Sequence, residues 1–212
     1  MCASVLMPGV QHMRHTLLPE HKFIKGQPDT GAELADDLEL IANKFEGEIA
    51  ACIVEPIAGS TGILVPPKGY LDRLRKICDK HGILLIFDEV ITGWGRTGSP
   101  FAAQEFNVTP DIMTLAKATT NGVVPMGVVA VRDGIYDAVM DSAPEGTIEL
   151  FHGYTYSGIP AAVAAALAVQ NIFEKENIFS RVKEISPYFQ ETLHSLGDLD
   201  CVENIRGYGL LG

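Results

Sequence analysis

Basic residues are scarce in this chain. Sixteen Lys and Arg stand against 27 Asp and Glu in 212 residues, a net charge of −11 at pH 7, and the isoelectric point is near 4.9. A surface of that sign repels phosphate backbones and anionic lipid, which excludes nucleic acid and membrane as the main partners. Cysteine is sparse too. Cys2, Cys52, Cys78 and Cys201 lie far apart with no C-x-x-C pair, which argues against a disulfide scaffold or structural zinc and for a reducing, cytoplasmic compartment. No apolar run approaches the roughly 18 residues of a membrane span. The apolar opening MCASVLMPGV has no basic n-region and is interrupted by Pro8, unlike a signal peptide.

What is plentiful is apolar residues, 47% of the chain, and glycine, 21 residues. That glycine share exceeds the usual figure of about 7% and suits the many turns of an α/β enzyme. Residues 1–32 have no periodicity and read as an irregular lead-in. Leu34, Leu38, Ile41 and Phe45 then mark an amphipathic helix ending near Gly47. IAACIVE (49–55) reads as a buried strand, and Leu71, Leu74 and Cys78 lie on one face of a helix closed by Gly82. ILLIFDEV (83–90) is apolar on both faces, the pattern of a parallel strand covered by helices. DIMTLA (111–116) and GVVAVR (127–132) are further strands, an Ala-rich helix over 159–174 opens at Pro160, and a last helix over 178–196 bends at Pro187. The alternation predicts an α/β fold with a largely parallel sheet. Ligands of such sheets gather at the carboxyl ends of the strands, where Glu55, Asp88, Glu89 and Lys117 fall.

Gly93-Trp94-Gly95-Arg96-Thr97-Gly98 satisfies G-x-G-x-x-G, but no helix follows it directly and no acid stands about 20 residues on, which argues against a dinucleotide site. Asp88 and Lys117 carry more. Asp88 ends the most apolar strand, where a carboxylate wants a cationic partner. Lys117 ends the next strand, and desolvation there is expected to lower its pKa and expose a nucleophilic amine. Two readings stand: a plain ion pair, or a Schiff-base lysine for pyridoxal 5'-phosphate (PLP) with the carboxylate keeping the pyridine nitrogen protonated. The segment His152-Gly153-Tyr154-Thr155-Tyr156-Ser157-Gly158 ahead of Pro160 offers hydroxyls and free N–H groups suited to a phosphate, or simply an N-cap at Ser157.

VEPIAGSTG (54–62), LIFDEVITGWGRTG (85–98), PDIMTLAKATTNGVVPMG (110–127) and HGYTYSGIP (152–160) follow in an order that resembles the class III aminotransferases, PLP enzymes of fold-type I, and most of all their omega-amino acid:pyruvate branch. The resemblance implies that residues 1–175 are the later part of a PLP-binding large domain and 176–212 the start of a small C-terminal domain. It makes Lys117 the Schiff-base lysine, Asp88 the partner of the pyridinium, and Val90 the apolar residue against the ring. It places Tyr154 and Thr155 in the segment that reaches the cofactor phosphate of the other subunit of a homodimer. Glu55 lies near the substrate pocket, where in some members it pairs with an arginine that switches to bind a carboxylate. The partners so implied are a small-molecule amino donor and a keto acid. Two departures accompany the match. Ile159 stands where the family commonly has His, and the family's phosphate loop and most of its small domain fall outside these residues, so the chain is expected to be a fragment. A related PLP-dependent aminomutase or decarboxylase, and a non-catalytic fragment or pseudoenzyme, remain as alternatives.

Three histidines, His12, His15 and His21, lack ligand spacing and are expected to be solvated loop residues. Alternation along a strand sends Glu89 to the face opposite Asp88, so the two do not share an ion. Arg96 either meets a substrate carboxylate or pins its own loop.

Overall fold

The structure, a computed structural model, describes residues 8–212; Cys2 and most of the apolar opening lie outside the described residues. The periodic apolar residues after the lead-in form a 3-10 turn at Ala32–Ala35 followed by helix α1, Asp36–Lys44. Leu34, Leu38 and Ala42 supply its buried stripe, while Asp36, Asp37 and Glu39 oppose the positive end of the helix dipole. Helix α2, Tyr70–His81, buries Leu71, Leu74, Ile77 and Cys78. It stops at Gly82, whose φ of 66° is left-handed and lets its N–H reach the Cys78 carbonyl. Burying each such leucine contributes roughly 1.5–3 kcal/mol.

Four strands form one sheet in the order β1 (Ala51–Val54), β2 (Leu84–Asp88), β3 (Ile112–Leu115) and β4 (Val128–Val131). The first two pairs are parallel and β3 with β4 is antiparallel. Helix α2 is the crossover between β1 and β2, so the carboxyl ends of β1, β2 and β3 open on the same side. Cys52, Leu85 and Phe87 face α1 and α2 in the main core. The second face differs from the expectation of a sheet covered on both sides. Ile53 is 62% exposed and Val129 66% exposed, because both early helices pack on the same face of the sheet.

Beyond the sheet, α3 (Ala102–Glu105) is a single turn, and α4 (Asp133–Ser142) has no buried residue. Its apolar residues Ile135, Tyr136, Val139 and Met140 recur at helical spacing, yet none of them is buried, Tyr136 being 57% exposed. Helices α5 (Pro160–Lys175) and α6 (Ile178–His194) follow, and α6 continues as one element through Pro187. The N-cap of α5 is Ile159 with no side-chain cap, so Ser157 does not cap the helix. Its N–H instead closes a turn onto the Tyr154 carbonyl at 2.9 Å. The final residues double back on the glycine loop: Leu210 N–H donates to the Arg96 carbonyl at 3.0 Å. Gln190 Nε2 of α6 holds the carbonyls of Gly209 and Leu211 at 2.9 and 3.0 Å.

Candidate active site at the strand ends

Asp88 is the last residue of β2 and pairs in register with Thr114 of β3. Three residues later Lys117 opens a 3-10 turn, Lys117–Thr119. Sequence order and parallel pairing therefore bring the two charged residues to neighbouring strand ends. Lys117 has a φ of 43°, a left-handed conformation that costs a residue with a Cβ about 1–3 kcal/mol unless its surroundings impose it. The turn is held by Thr119, whose N–H and hydroxyl both donate to the Ala116 carbonyl, at 2.9 and 3.0 Å.

Asp88 Oδ1 accepts the Val90 N–H at 3.1 Å. Among the described residues neither Asp88 nor Lys117 takes part in an ion pair. Of the two readings left open by the residues, the mutual ion pair is thus not formed. A second correction concerns solvation. Lys117 is exposed rather than desolvated, because the loop after its turn is itself largely exposed, Val123 at 75%, and covers nothing. Asp88 and Val90 are half-buried.

Glu89 points the other way, as alternation requires. It is fully buried and accepts the N–H groups of Ala102 and Ala103 at 2.6 and 2.8 Å and the Thr92 hydroxyl at 3.1 Å. Burial pushes its carboxyl above the usual range, against the pull of those donors. Its work is structural: it ties the end of β2 to the start of α3.

Glu55 follows β1, and its Oε2 accepts the Gly59 N–H at 2.9 Å, which fastens the loop between β1 and α2. It also lines a cavity of about 790 Å³ between residues 9–17 and the outer side of β1. Neither Asp88 nor Lys117 borders that cavity, so its size does not make it the reactive centre. Tyr154 and Thr155 line a separate cleft of about 400 Å³ with Pro125, Met126 and Gly127. Both are exposed, and neither Asp88 nor Lys117 borders that cleft. The Arg96 side chain is exposed while its carbonyl anchors Leu210. His21 corrects another expectation: it is 3% exposed and its Nδ1 accepts the Leu18 N–H at 3.4 Å, so it packs inside its own turn.

One side-chain pair at this centre escaped the sequence. Trp94, the only tryptophan of the chain, donates its Nε1–H to the Thr119 hydroxyl at 2.9 Å. A lone large aromatic between two glycines was the available signal.

The sequence profile of the class-III aminotransferases matches residues 2–212. The chain belongs to the class-III aminotransferase family. Among relatives of this family, it is 55% identical over 208 residues to an omega-aminotransferase of Caulobacter vibrioides, covering 97% of this chain and 47% of that protein. It is 50% identical over 206 residues to the beta-alanine–pyruvate aminotransferase of Pseudomonas aeruginosa, covering 96% and 46%. The chain thus spans about half the length of these curated relatives. Solved transaminase structures agree on the fold. An (S)-enantioselective omega-transaminase from Thermomicrobium roseum superposes with a TM-score of 0.79 at 40% identity, over 84% of this chain and 39% of that one. A thermostable omega-transaminase engineered for bulky amines reaches a TM-score of 0.85 at 32% identity, over 98% and 46%. The mostly parallel sheet with its helices is accordingly part of the fold-type I transaminase architecture. No helix among the described residues is long and apolar enough to cross a membrane.

Proposed function

We propose that this chain carries the lysine-bearing half of a PLP-dependent aminotransferase that moves an amino group from an omega-amino acid or amine of the β-alanine type to a keto acid such as pyruvate. The observation that carries the reading is the pair of unpaired opposite charges, Asp88 and Lys117, on the ends of adjacent parallel strands. That donor set fits pyridoxal phosphate, which needs a carboxylate for its ring nitrogen and a primary amine for its carbonyl carbon. When bound, the cofactor supplies an electron-poor ring that stabilises negative charge on the carbon bearing the transferred amine. Lys117 Nζ would offer the amine that attaches the cofactor, and its free amine would take up and return a proton as a general base and then a general acid. The Asp88 carboxylate keeps a proton on the ring nitrogen, and Val90 supplies an apolar surface beside it.

Thr155 and the Tyr154–Thr155 backbone would hold the cofactor phosphate in a second subunit. Their exposure supports that role, as does that of Phe151 at 94% and Tyr156 at 84%, aromatic surface suited to burial in a homodimer. Glu55 lies toward the substrate end. Residues 1–175 belong to the cofactor-binding domain and 176–212 open the small domain, with left-handed Asn177 at the junction. The free thiols of Cys52, Cys78 and Cys201 suit a cytoplasmic setting.

The test is alanine formed from pyruvate and β-alanine in the presence of PLP. Lys117→Ala is expected to abolish it, and Asp88→Asn to retain cofactor while losing most turnover. Parent-like turnover by Lys117→Ala overturns the reading.

A further inference from the structure

The segment that follows Asp88 and the turn that carries Lys117 touch through one hydrogen-bond relay. Trp94 Nε1–H donates to Thr119 Oγ1 at 2.9 Å, and the same hydroxyl donates to the Ala116 carbonyl at 3.0 Å. That carbonyl belongs to the peptide bond whose nitrogen is Lys117's own. A donor on the Asp88 side is therefore two hydrogen bonds away from the Lys117 backbone. Thr119 is 2% exposed, so both bonds are shielded from water, and each link polarises the next.

The indole has little freedom. Its ring lies edge-on to Phe101 with centroids 5.3 Å apart and stacks on Phe173 of α5 at 6.1 Å, and Phe173 stacks on Phe179 of α6 at 5.2 Å. Gly95, at a φ of 91°, lets the loop pass Phe179 where a Cβ would stand 2.8 Å from the ring. The indole N–H is thus aimed by packing rather than by the loop alone. The Lys117 turn is the opposite case: exposed at Lys117, left-handed there, and anchored on its buried side by Thr119 and Thr120.

We infer that Trp94 and Thr119 are positioning residues that hold Lys117 in its left-handed conformation and so set where its amine stands relative to Asp88. This rests on the role given to Lys117 above. Without the relay, the Ala116–Lys117 peptide relaxes toward negative φ, the ordinary region for a residue with a Cβ, and the amine swings away from the ring site. Neither residue contacts the reacting atoms. Both act through Lys117.

The experiment incubates the full chain with pyridoxal phosphate and cyanoborohydride and follows fixation of the cofactor at each lysine by peptide mass spectrometry, with exposed Lys76 and Lys80 as internal references. Trp94→Phe keeps an aromatic ring in the stack and removes the donor. It is expected to slow fixation at Lys117 about tenfold, the scale of one lost buried hydrogen bond, and to leave the reference lysines unchanged. Thr119→Val should slow it at least as much, and Thr119→Ser, which restores the hydroxyl, should return it toward the parent rate. Parent-rate fixation at Lys117 in Trp94→Phe overturns the inference, as does Thr119→Val matching Thr119→Ser. An equal change at all three lysines, with loss of cooperative unfolding, marks general damage and overturns it too. Failure of the parent chain to fix cofactor at Lys117 refutes the assigned role of Lys117 itself, a different outcome from any of these.

Discussion

Removing the Asp111 side chain is the sharpest test of how the sheet holds the two charges in place. Asp111 stands at the foot of β3, 8% exposed. Its Oδ2 accepts the Leu85 N–H of β2 at 2.7 Å and Arg75 Nη1 of α2 at 2.7 Å, and its Oδ1 meets Arg132 just past β4 at 3.1 Å. Its own N–H returns to the Leu85 carbonyl at 2.8 Å. One carboxylate thereby locks the register of β2 against β3 and ties in α2 and β4. Breaking a buried pair by deleting one partner costs about 3–5 kcal/mol. Arg75 retains Asp79 at 2.8 Å, and the Arg132 side chain is 48% exposed, so the low end applies and Asp111→Ala should cost about 3 kcal/mol. With a urea slope near 3 kcal/mol/M, that moves the midpoint down by about 1 M with the slope unchanged. The pH dependence follows from the carboxyl itself. Burial works to raise its pKa, but the Leu85 amide and the guanidinium groups of Arg75 and Arg132 outweigh it and hold it below the usual range. A carboxyl depressed by folding contributes stability above its unfolded pKa and loses it as the pH falls through the folded value. The gap between parent and Asp111→Ala should therefore narrow in acid. A cost under about 1 kcal/mol at pH 7, the size of an ordinary exposed pair, or a gap that stays constant into acid, refutes the reasoning.

Three further outcomes are expected. Gly207→Ala puts a Cβ into the Gln190 side-chain amide; it should destabilise by about 1–3 kcal/mol in thermal unfolding, and adding Gln190→Ala should not worsen it further. Glu39 is held down to about 2 by Lys80, first, and His81. Its contribution to stability is full above the usual carboxylate range and lost as the pH falls toward about 2, and a carboxyl-carbon NMR titration of Lys80→Met should show the pKa moving up. Glu89→Ala leaves the N–H groups of Ala102 and Ala103 without an acceptor in a buried place; it should cost about 2–4 kcal/mol by urea unfolding, more than the loss of exposed Glu46.

The helices and strands with apolar stripes were legible because burial writes a period into the sequence. The stripe of α2 and its Gly82 stop are the plainest case, and β2 with Asp88 at its end is another. Helix α4 shows the limit of that rule: Ile135, Tyr136, Val139 and Met140 repeat at helical spacing, yet none of them is buried. The open second face of the sheet was hidden for a related reason: Ile53 and Val129 are apolar yet exposed, and pattern alone does not tell a covered face from an open one. At the site, residue type and spacing were enough to single out Asp88 and Lys117. Their environment was not. Whether a lysine at a strand end is covered depends on what folds over it, and whether it pairs with a nearby carboxylate depends on side-chain direction. The Trp94–Thr119 contact joins positions 25 apart, and no local pattern encodes such a meeting. The His21 burial was likewise invisible, because its ring is held by the Leu18 N–H of its own turn and by the Thr30 hydroxyl nine residues on.

The central claim is that Lys117 is the amine that takes pyridoxal phosphate. Saturating the full chain with the cofactor, reducing with borohydride and sequencing the modified peptide by mass spectrometry addresses it directly. The account predicts a single dominant modification at Lys117, removed from the protein when β-alanine is added before reduction. Dominant modification at another lysine, or a Lys117 adduct that β-alanine leaves untouched, would contradict it.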